Sequence, residues 1–231
     1  MDNISEIQRC ASLARKAYDC SVSVQNTTAA KFTRRLTSTT FYWLDDEDAN
    51  YLIFKGSAEP RDFLIDIFCF IPFRYLGNWV HPGFAIAHRS IRKKLDTWLE
   101  AMDHSKPLVI TGHSLGAALS SLTLLYCKQK GIKAKAICFG KPRTYLKPAK
   151  ERFEKGEMLS VCSGSDAVVR VPRYAYVSCS PENQDFLYLS NDDESAYLNP
   201  DPKFVDEDWD LKDCVSDHSM DNYCEHLEKI S

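Results

Sequence analysis

Apolar residues recur at two different spacings along this chain. Over Ile4–Tyr18 and Phe84–Met102 they return every three or four positions, which predicts two amphipathic helices. The Arg and Lys residues of the second helix are interpreted as its solvated face. A third helix is expected from Gly112 to Lys130, before a typical glycine stop signal, and a fourth over Met220–Ile230.

Between these helices, short runs rich in β-branched and aromatic residues predict strands. They lie at Thr39–Leu44, Tyr51–Phe54, Leu108–Thr111, Lys135–Phe139, Met158–Cys162, Ala175–Cys179 and Phe186–Leu189. The first two flank a polar connector and are expected to be adjacent. Alternating strands and helices favour the α/β class, with a mostly parallel central sheet flanked by helices. A length of 231 residues fits one such domain over residues 1–231.

Charge and hydropathy narrow the set of partners. The formal net charge is −3, and no run of Lys and Arg is extensive enough to bind phosphates, so we expect no nucleic acid partner. The most apolar stretch, residues 63–73, contains Asp66 and is too short to cross a bilayer. Residues 191–213 are acidic and contain proline, which predicts a long surface loop. Whether this loop binds calcium stays open, because it has no ligand-loop pattern.

The cysteines bear on the cellular compartment. There are nine, an odd number, and they lack the Cys-x-x-Cys spacing of metal sites. Small buried hydrophobic side chains are the simplest interpretation of each. The first residues, Met-Asp-Asn-Ile-Ser-Glu, do not resemble a secretory leader. Together these features predict a cytoplasmic protein with reduced thiols.

The clearest chemical signal is Gly112-His113-Ser114-Leu115-Gly116, between a predicted strand and a predicted helix. This is the G-x-S-x-G pattern of a nucleophile elbow, in the structural context that the pattern requires. A serine hydroxyl is a poor nucleophile unless a base removes its proton, so Ser114 must meet an imidazole at the apex of a sharp turn. The Leu115 amide, at the start of the helix, is a natural oxyanion donor.

The candidate base and acid follow downstream of Ser114, as in an α/β-hydrolase triad. His218 precedes the last helix, where a loop can direct an imidazole into a pocket, whereas His226 lies within that helix. Asp166 follows the strand at Met158–Cys162, at a position where parallel sheets collect functional groups. The rival acids, all in polar surroundings, are Asp185, Asp192 and Asp193.

Five segments in the same order resemble the fungal-type, or class 3, lipases. They are Phe54-Lys55-Gly56-Ser57 with Asp62-Phe63, His81-Pro82-Gly83-Phe84, Thr111 to Gly116, Phe139-Gly140-Lys141-Pro142-Arg143, and Asp166 to Pro172 followed by Asp217-His218-Ser219. The resemblance implies an α/β-hydrolase fold and a catalytic triad of Ser114, Asp166 and His218.

The resemblance also implies an oxyanion hole and a lid. Ser57 would be the second oxyanion donor, opposite Leu115. Residues 58–72 would form the lid, with Phe63, Leu64, Ile67, Phe68 and Phe70 as contacts for acyl chains. Opening of the lid at a lipid surface would expose these side chains and give a transient membrane contact. A buried helix or strand is the alternative interpretation of the same residues.

The expected activity is hydrolysis of carboxylic esters of lipids through an acyl-enzyme at Ser114, as in an acylglycerol lipase or a phospholipase A. The substrate partner is therefore a lipid ester, and no cofactor or metal is expected. Two alternatives stay open. One is an esterase or acyltransferase acting on soluble esters, and the other is a catalytically silent interaction module on the same fold.

Overall fold

The computed structural model describes residues 4–24, 27–57, 72–146, 153–171, 176–177, 185–191, 195–200 and 216–230. Within them the helices are α1 (Ile4–Tyr18), α2 (Pro82–Ala101), α3 (Leu115–Gln129) and α4 (Met220–Lys229). The strands are β1 (Ser23–Val24), β2 (Thr27–Thr28), β3 (Ala30–Arg34), β4 (Thr39–Asp45), β5 (Asn50–Phe54), β6 (Phe73–Tyr75), β7 (Asn78–Val80), β8 (Leu108–His113), β9 (Ala134–Phe139), β10 (Tyr145–Leu146), β11 (Met158–Ser163), β12 (Tyr176–Val177), β13 (Asp185–Leu189) and β14 (Ala196–Leu198). Short 3-10 helices lie at Arg35–Thr37 and Val168–Arg170.

A sheet of eight strands forms the centre, in the order β14-β13-β11-β9-β8-β5-β4-β3. The five strands from β13 to β5 in this order are parallel, whereas β14, β4 and β3 pair antiparallel with their neighbours. The predicted α/β fold with a mostly parallel sheet is thereby confirmed. The carboxyl ends of the parallel strands meet at one edge, where Phe54 pairs with Gly112 and His113 pairs with Phe139. We call this the carboxyl edge.

Each face of the central sheet is covered by its own pair of helices. Alternate residues of β5 point to opposite faces, as the pleat of a strand requires. Leu52 and Phe54 belong to the core shared with α2 and α3, and Tyr51 and Ile53 to the core shared with α1 and α4. The helix α3 is buried almost throughout because it lies against both the sheet and α2. The sheet is therefore the middle layer of three.

The edge strands differ most from the sequence-based expectation. The prediction of a loop over 191–213 is wrong for Ala196–Leu198, which form β14 and pair with β13. A short, half-exposed edge strand needs no apolar face, so its hydropathy does not distinguish it from a loop. Residues 201–213 lie outside the described residues. They make up most of the loop for which calcium binding was left open. None of the described helices is long and apolar enough to span a bilayer.

Candidate active site

Ser114 is the single residue between β8 and α3. Its backbone has φ 56° and ψ −123°, a combination that a non-glycine residue adopts only under constraint from its surroundings. The side chain is buried, and Oγ has no hydrogen-bond partner among the described residues. Such a strained strand-to-helix turn is the geometry of the nucleophile elbow that the G-x-S-x-G pattern predicts.

Two glycines allow the elbow to pack against β5. A Cβ atom at Gly116 would collide with the carbonyl oxygen of Phe54. At Gly112 a Cβ would lie 2.6 Å from the carbonyl carbon of Gly116 and 2.8 Å from the Phe54 oxygen. Side chains at either position would push α3 away from the sheet. The glycines of the motif therefore fix how closely the helix approaches the strand below it.

Asp166 and His218 form a buried pair. Nδ1 of His218 lies 2.9 Å from Oδ2 and 3.0 Å from Oδ1 of Asp166, and both side chains are almost fully buried. Nδ1 therefore donates its proton to the carboxylate. The other ring nitrogen, Nε2, has no hydrogen-bond partner among the described residues. An imidazole held in this way presents an unprotonated nitrogen that can accept a proton.

Tyr223 on α4 completes the surroundings of the carboxylate. Its hydroxyl donates to Oδ2 of Asp166 at 2.6 Å, and the Val168 amide donates to Oδ1 at 2.8 Å. Burial by itself would raise the pKa of Asp166, but the electrostatic interaction with His218 and the hydrogen bonds from His218 and Tyr223 outweigh it and lower the pKa. Asp166 is therefore ionised at neutral pH.

The turn that carries His218 is held by the neighbouring carboxylate of Asp217. Its Oδ2 accepts hydrogen bonds from the Ser165 amide at 2.6 Å and from Nδ2 of Asn191 at 2.9 Å. Its Oδ1 accepts from Nδ2 of Asn222 at 3.1 Å. The bond from Ser165 joins the 216–218 turn to the loop after β11, the same loop that carries Asp166. The segments that carry the two members of the buried pair are thus held together by the Asp217 side chain.

His113 connects this pair to the elbow. It directly precedes Ser114, and its ring lies 4.4 Å from the His218 ring, centroid to centroid. The Tyr18 hydroxyl lies 2.7 Å from Nδ1 of His113. Burial holds the pKa of His113 well below its usual value, and the His218 ring lowers it further, so His113 stays neutral. The elbow and the Asp166–His218 pair therefore lie together at the carboxyl edge.

Gly140, which follows β9, lies against the His218 ring and the Asp166 carboxylate. A Cβ at this position would lie 2.8 Å from Oδ2 of Asp166 and 3.0 Å from Cε1 and Nδ1 of His218. Its φ of 54° is also one that glycine adopts without strain. The Phe139-Gly140 step thus leaves space for the imidazole and its carboxylate.

The two candidate oxyanion donors lie beside the elbow. Leu115 begins α3, so its amide belongs to a helix N-terminus, where N–H groups lack intrahelical acceptors. Ser57 is half-buried in the segment after β5. The preceding residue, Gly56, approaches so closely that a Cβ there would lie 2.7 Å from the carbonyl oxygen of His113. Both candidates therefore reach the carboxyl edge near Ser114.

Two of the rival residues, His226 and Asp185, have hydrogen-bond partners outside this cluster. Nδ1 of His226 lies 2.8 Å from the Ser163 hydroxyl, so this ring has a hydrogen-bond partner within the fold. Asp185 accepts a hydrogen bond from Nδ2 of Asn199 at 3.3 Å, next to the edge strand β14. Asp192 and Asp193 lie outside the described residues, as does the predicted lid except for Pro72.

Sequence reasoning missed the groups that surround the pair. Tyr223, Asp217, His113 and Tyr18 were not predicted to take part in the site. Two of them had an available signal, because Asp217 and His113 stand inside the motifs that carry the family resemblance. Tyr18 and Tyr223 had none, since they come from helices near opposite ends of the chain and meet the site only through packing.

Comparison with known proteins identifies the family. The model of the family described as lipase (class 3) matches residues 51–175, more than half of the chain. The chain belongs to the class 3 lipase family. Among curated relatives, a lipase from Rhizomucor miehei is 31% identical over 110 residues, covering 43% of this chain and 30% of the relative. The secreted mono- and diacylglycerol lipase LIP2 from Malassezia restricta is 28% identical over 147 residues, covering 59% and 46%.

Solved structures show the same fold. The crystal structure of the mono- and diacylglycerol lipase from Aspergillus oryzae superposes with a TM-score of 0.77 at 19% identity, covering 99% of this chain and 98% of that chain. This class 3 lipase chain therefore has the α/β-hydrolase fold of the fungal lipases. In sequence, by contrast, the match spans less than half the length of these curated relatives.

The relatives correct the predicted location. The cytoplasmic location is wrong, since the Malassezia restricta relative is described as secreted and points to an extracellular location. The prediction depended on the first residues and on the cysteines, and the cysteines do not decide the compartment. Cys10 and Cys127 are fully buried, and burial raises the pKa of each thiol to about 12. Thiols shielded in this way do not oxidise readily in any compartment.

Proposed function

We propose that this chain is a serine hydrolase that cleaves carboxylic esters of acylglycerols through an acyl-enzyme intermediate. One observation carries the proposal. At the carboxyl edge, the strained Ser114 has a hydroxyl without a hydrogen-bond partner among the described residues. At the same edge, Nδ1 of the buried His218 bonds to Asp166, and its Nε2 has no partner among those residues. These are the groups that acyl transfer requires, in the family where it is expected.

The proposed reaction proceeds in two halves. Nε2 of His218 accepts the proton of Ser114 while Oγ attacks the ester carbonyl, and Asp166 stabilises the resulting imidazolium. The imidazolium then gives its proton to the departing alcohol, which leaves an acyl group on Ser114. In the second half, His218 takes a proton from water, the hydroxide attacks the acyl carbonyl, and the fatty acid is released as Oγ recovers its proton.

The amides of Leu115 and Ser57 are the proposed oxyanion donors. Negative charge collects on the carbonyl oxygen in each tetrahedral intermediate, and fixed N–H donors beside a helix N-terminus stabilise it without having to reorganise. The loss of one such donor typically costs 10²–10³ in kcat. We assign the pair on the position of Leu115 at the start of α3 and of Ser57 next to the elbow.

The substrate assignment depends on the relatives. Two curated relatives, from Malassezia restricta and Fusarium solani, are described as mono- and diacylglycerol lipases, which favours acylglycerols over phospholipids. Residues 58–72 are the proposed lid, whose apolar side chains would cover the site and open at a lipid surface. Equal rates per enzyme on monomeric and micellar esters would contradict this lid.

Labelling by a fluorophosphonate tests the nucleophile. The parent protein should be labelled at Ser114 and should hydrolyse monoacylglycerol, and Ser114→Ala should abolish both. Ser120→Ala is the matched control, because Ser120 is a buried serine of α3, the helix that follows Ser114, and its hydroxyl donates to the carbonyl of Gly116. Equal labelling of both variants would overturn the proposal. A rate that peaks on soluble short-acyl esters would instead favour the esterase alternative.

A further inference from the structure

Large hydrophobic side chains are exposed on α2 and on the elements around it. Among the described residues, five are exposed, and four of them lie on β6, β7, α2 or the 3-10 helix at 35–37. Leu36 has the largest exposed fraction, 84%, followed by Ile86 at 55%. Exposed apolar side chains that gather on one side of a protein mark a contact surface.

Leu36 and Ile86 both lie at the carboxyl edge. The 3-10 helix that carries Leu36 connects β3 to β4, and Arg34 pairs with Thr39 at that end of the hairpin. Its Thr37 hydroxyl lies 2.9 Å from the hydroxyl of Ser90 on α2. Ile86 precedes Ser90 by one helical turn and lies on the same side of α2. The two exposed side chains therefore flank one contact point, on the edge that carries Ser114.

Basic residues surround both of them. Arg34 and Arg35 precede Leu36, while Arg89 and Lys93 follow Ile86 on the exposed face of α2. All four side chains are exposed, and none forms an ion pair with a described residue. We call Arg34, Arg35, Leu36, Ile86, Arg89 and Lys93 the basic platform.

The sequence segments that carry the basic platform contain no acidic residues. The sequence contains no Asp or Glu from residue 30 to residue 44, or from residue 73 to residue 95, although the chain as a whole has a net charge of −3. These two segments therefore contribute positive charge with no carboxylate of their own. A surface that combines exposed aliphatic side chains with cations is complementary to an anionic bilayer, because the cations meet the headgroups and the aliphatic groups enter the interface.

We infer that the basic platform docks this protein on anionic phospholipid surfaces and turns the carboxyl edge, with Ser114, toward the lipid. The platform consists of ordered elements outside residues 58–72, so docking does not require movement of the proposed lid. It also does not require catalysis. The exposed Leu36 and Ile86 favour a bilayer over a nucleic acid, which would contact the cations alone.

Vesicle co-sedimentation tests the docking. The protein carries Ser114→Ala throughout, so that the result does not depend on the proposed nucleophile and the vesicles are not consumed. Vesicles of phosphatidylcholine alone are compared with vesicles that also contain phosphatidylglycerol. The double variant Arg34→Gln with Arg35→Gln should bind anionic vesicles about 25-fold more weakly, since each basic residue near the surface contributes about five-fold. Added salt should reduce the parent's binding.

The matched control removes two cations from the opposite edge. Lys133 precedes β9 and Lys155 precedes β11, and both are exposed. The double variant Lys133→Gln with Lys155→Gln has the same net charge as the platform variant and should bind like the parent. Leu36→Ser should weaken binding to both kinds of vesicle. Thermal unfolding of each variant checks that it is folded.

Three results would overturn the inference. They are equal losses in the two double variants, equal binding of the parent to neutral and anionic vesicles, and no binding of the parent to either. A protein that docks as expected but is not labelled by fluorophosphonate at Ser114 would overturn the proposed function and leave the basic platform standing.

Discussion

Asp166 is completely buried, yet its pKa lies below the ordinary value of 3.8. Burial favours the neutral form of a carboxyl group, so the charge persists only because donors surround it. His218, Tyr223 and the Val168 amide supply those donors at 2.6 to 3.0 Å. The proposed triad thus depends on a tyrosine that is not itself a member.

Removal of the Tyr223 hydroxyl should therefore weaken catalysis. In Tyr223→Phe, Asp166 loses one charge-assisted hydrogen bond, worth about 1.5 kcal/mol or roughly ten-fold in rate. The pKa of Asp166 should rise, and the imidazolium that forms during acyl transfer should be less stable. Steady-state kinetics should show a roughly ten-fold lower kcat with KM nearly unchanged.

Tyr126→Phe is the matched control for this substitution. Tyr126 donates a 2.6 Å hydrogen bond to Asp96, between α3 and α2 and away from the candidate site. Its loss removes a bond of the same kind and should lower stability without lowering kcat. Equal effects of the two substitutions on kcat would show that Tyr223 acts through stability alone.

At the scale of elements, the elbow is a junction of β8 and α3 with the neighbouring strands β5 and β9. The Ser114 amide donates to the carbonyl of Phe139 at 3.0 Å, and the Ala117 amide donates to the Ser114 carbonyl at the same distance. These bonds hold the strained residue between two elements that are themselves buried. The strain is stable because neither the strand nor the helix can move to relieve it.

A methyl group at Gly116 should break this junction. The Cβ of Gly116→Ala would collide with the carbonyl of Phe54, a backbone atom that cannot rotate away. Overpacking of this kind typically costs about 1–3 kcal/mol, so the denaturation midpoint should fall and the activity with it. Chemical denaturation provides the measurement.

Gly83→Ala is the control for the elbow glycine. Gly83 lies in the first turn of α2, and a Cβ there would make ordinary contacts of 3.4 Å with His81. Because alanine is the better helix former by up to about 1 kcal/mol, this variant should be as stable as the parent or more stable. A Gly116→Ala protein of parental stability would mean that the helix can move away from β5 at no cost.

At the scale of the whole molecule, buried neutral histidines couple stability to pH. His88 lies between Tyr75 and Thr123, and burial together with the charge of Arg92 lowers its pKa to about 3. His113 is also buried with a lowered pKa. Both remain neutral in the folded protein, whereas the unfolded chain takes up protons below the ordinary value of 6.5.

Stability should therefore be complete above pH 6.5 and decline as the pH falls from there toward 3. Each such histidine contributes a slope of about 1.4 kcal/mol per pH unit to the free energy of unfolding. In His88→Gln, urea denaturation between pH 6 and pH 4 should show a slope smaller by about that amount.

Tyr75→Phe is the control for the pH slope. It removes one hydrogen-bond partner of His88 but keeps the imidazole. This variant should lose stability at every pH and keep the parental slope. If the His88→Gln slope matched that of the parent, His88 would have to be protonated in the folded state.

The local pattern along the chain determined most of the architecture. The helix at 4–18 was predicted with the observed bounds because it buries one face and its period is visible in the sequence. The strand leading to Ser114 is buried along its whole length, and a short, continuously apolar run predicted it. The assignments of Ser114, Asp166 and His218 came from a motif, a chain order and a family resemblance. Their catalytic roles, and the single domain over the whole chain, stay predictions.

Contacts between residues far apart in the chain were decided only by the tertiary structure. Tyr18 meets His113 across 95 positions, and Tyr223 meets Asp166 across 57. Neither pair has a local period or a fixed spacing. The basic platform likewise forms only when the 3-10 helix after β3 meets α2. A sequence pattern reports which face of an element is buried, whereas packing determines which elements meet there.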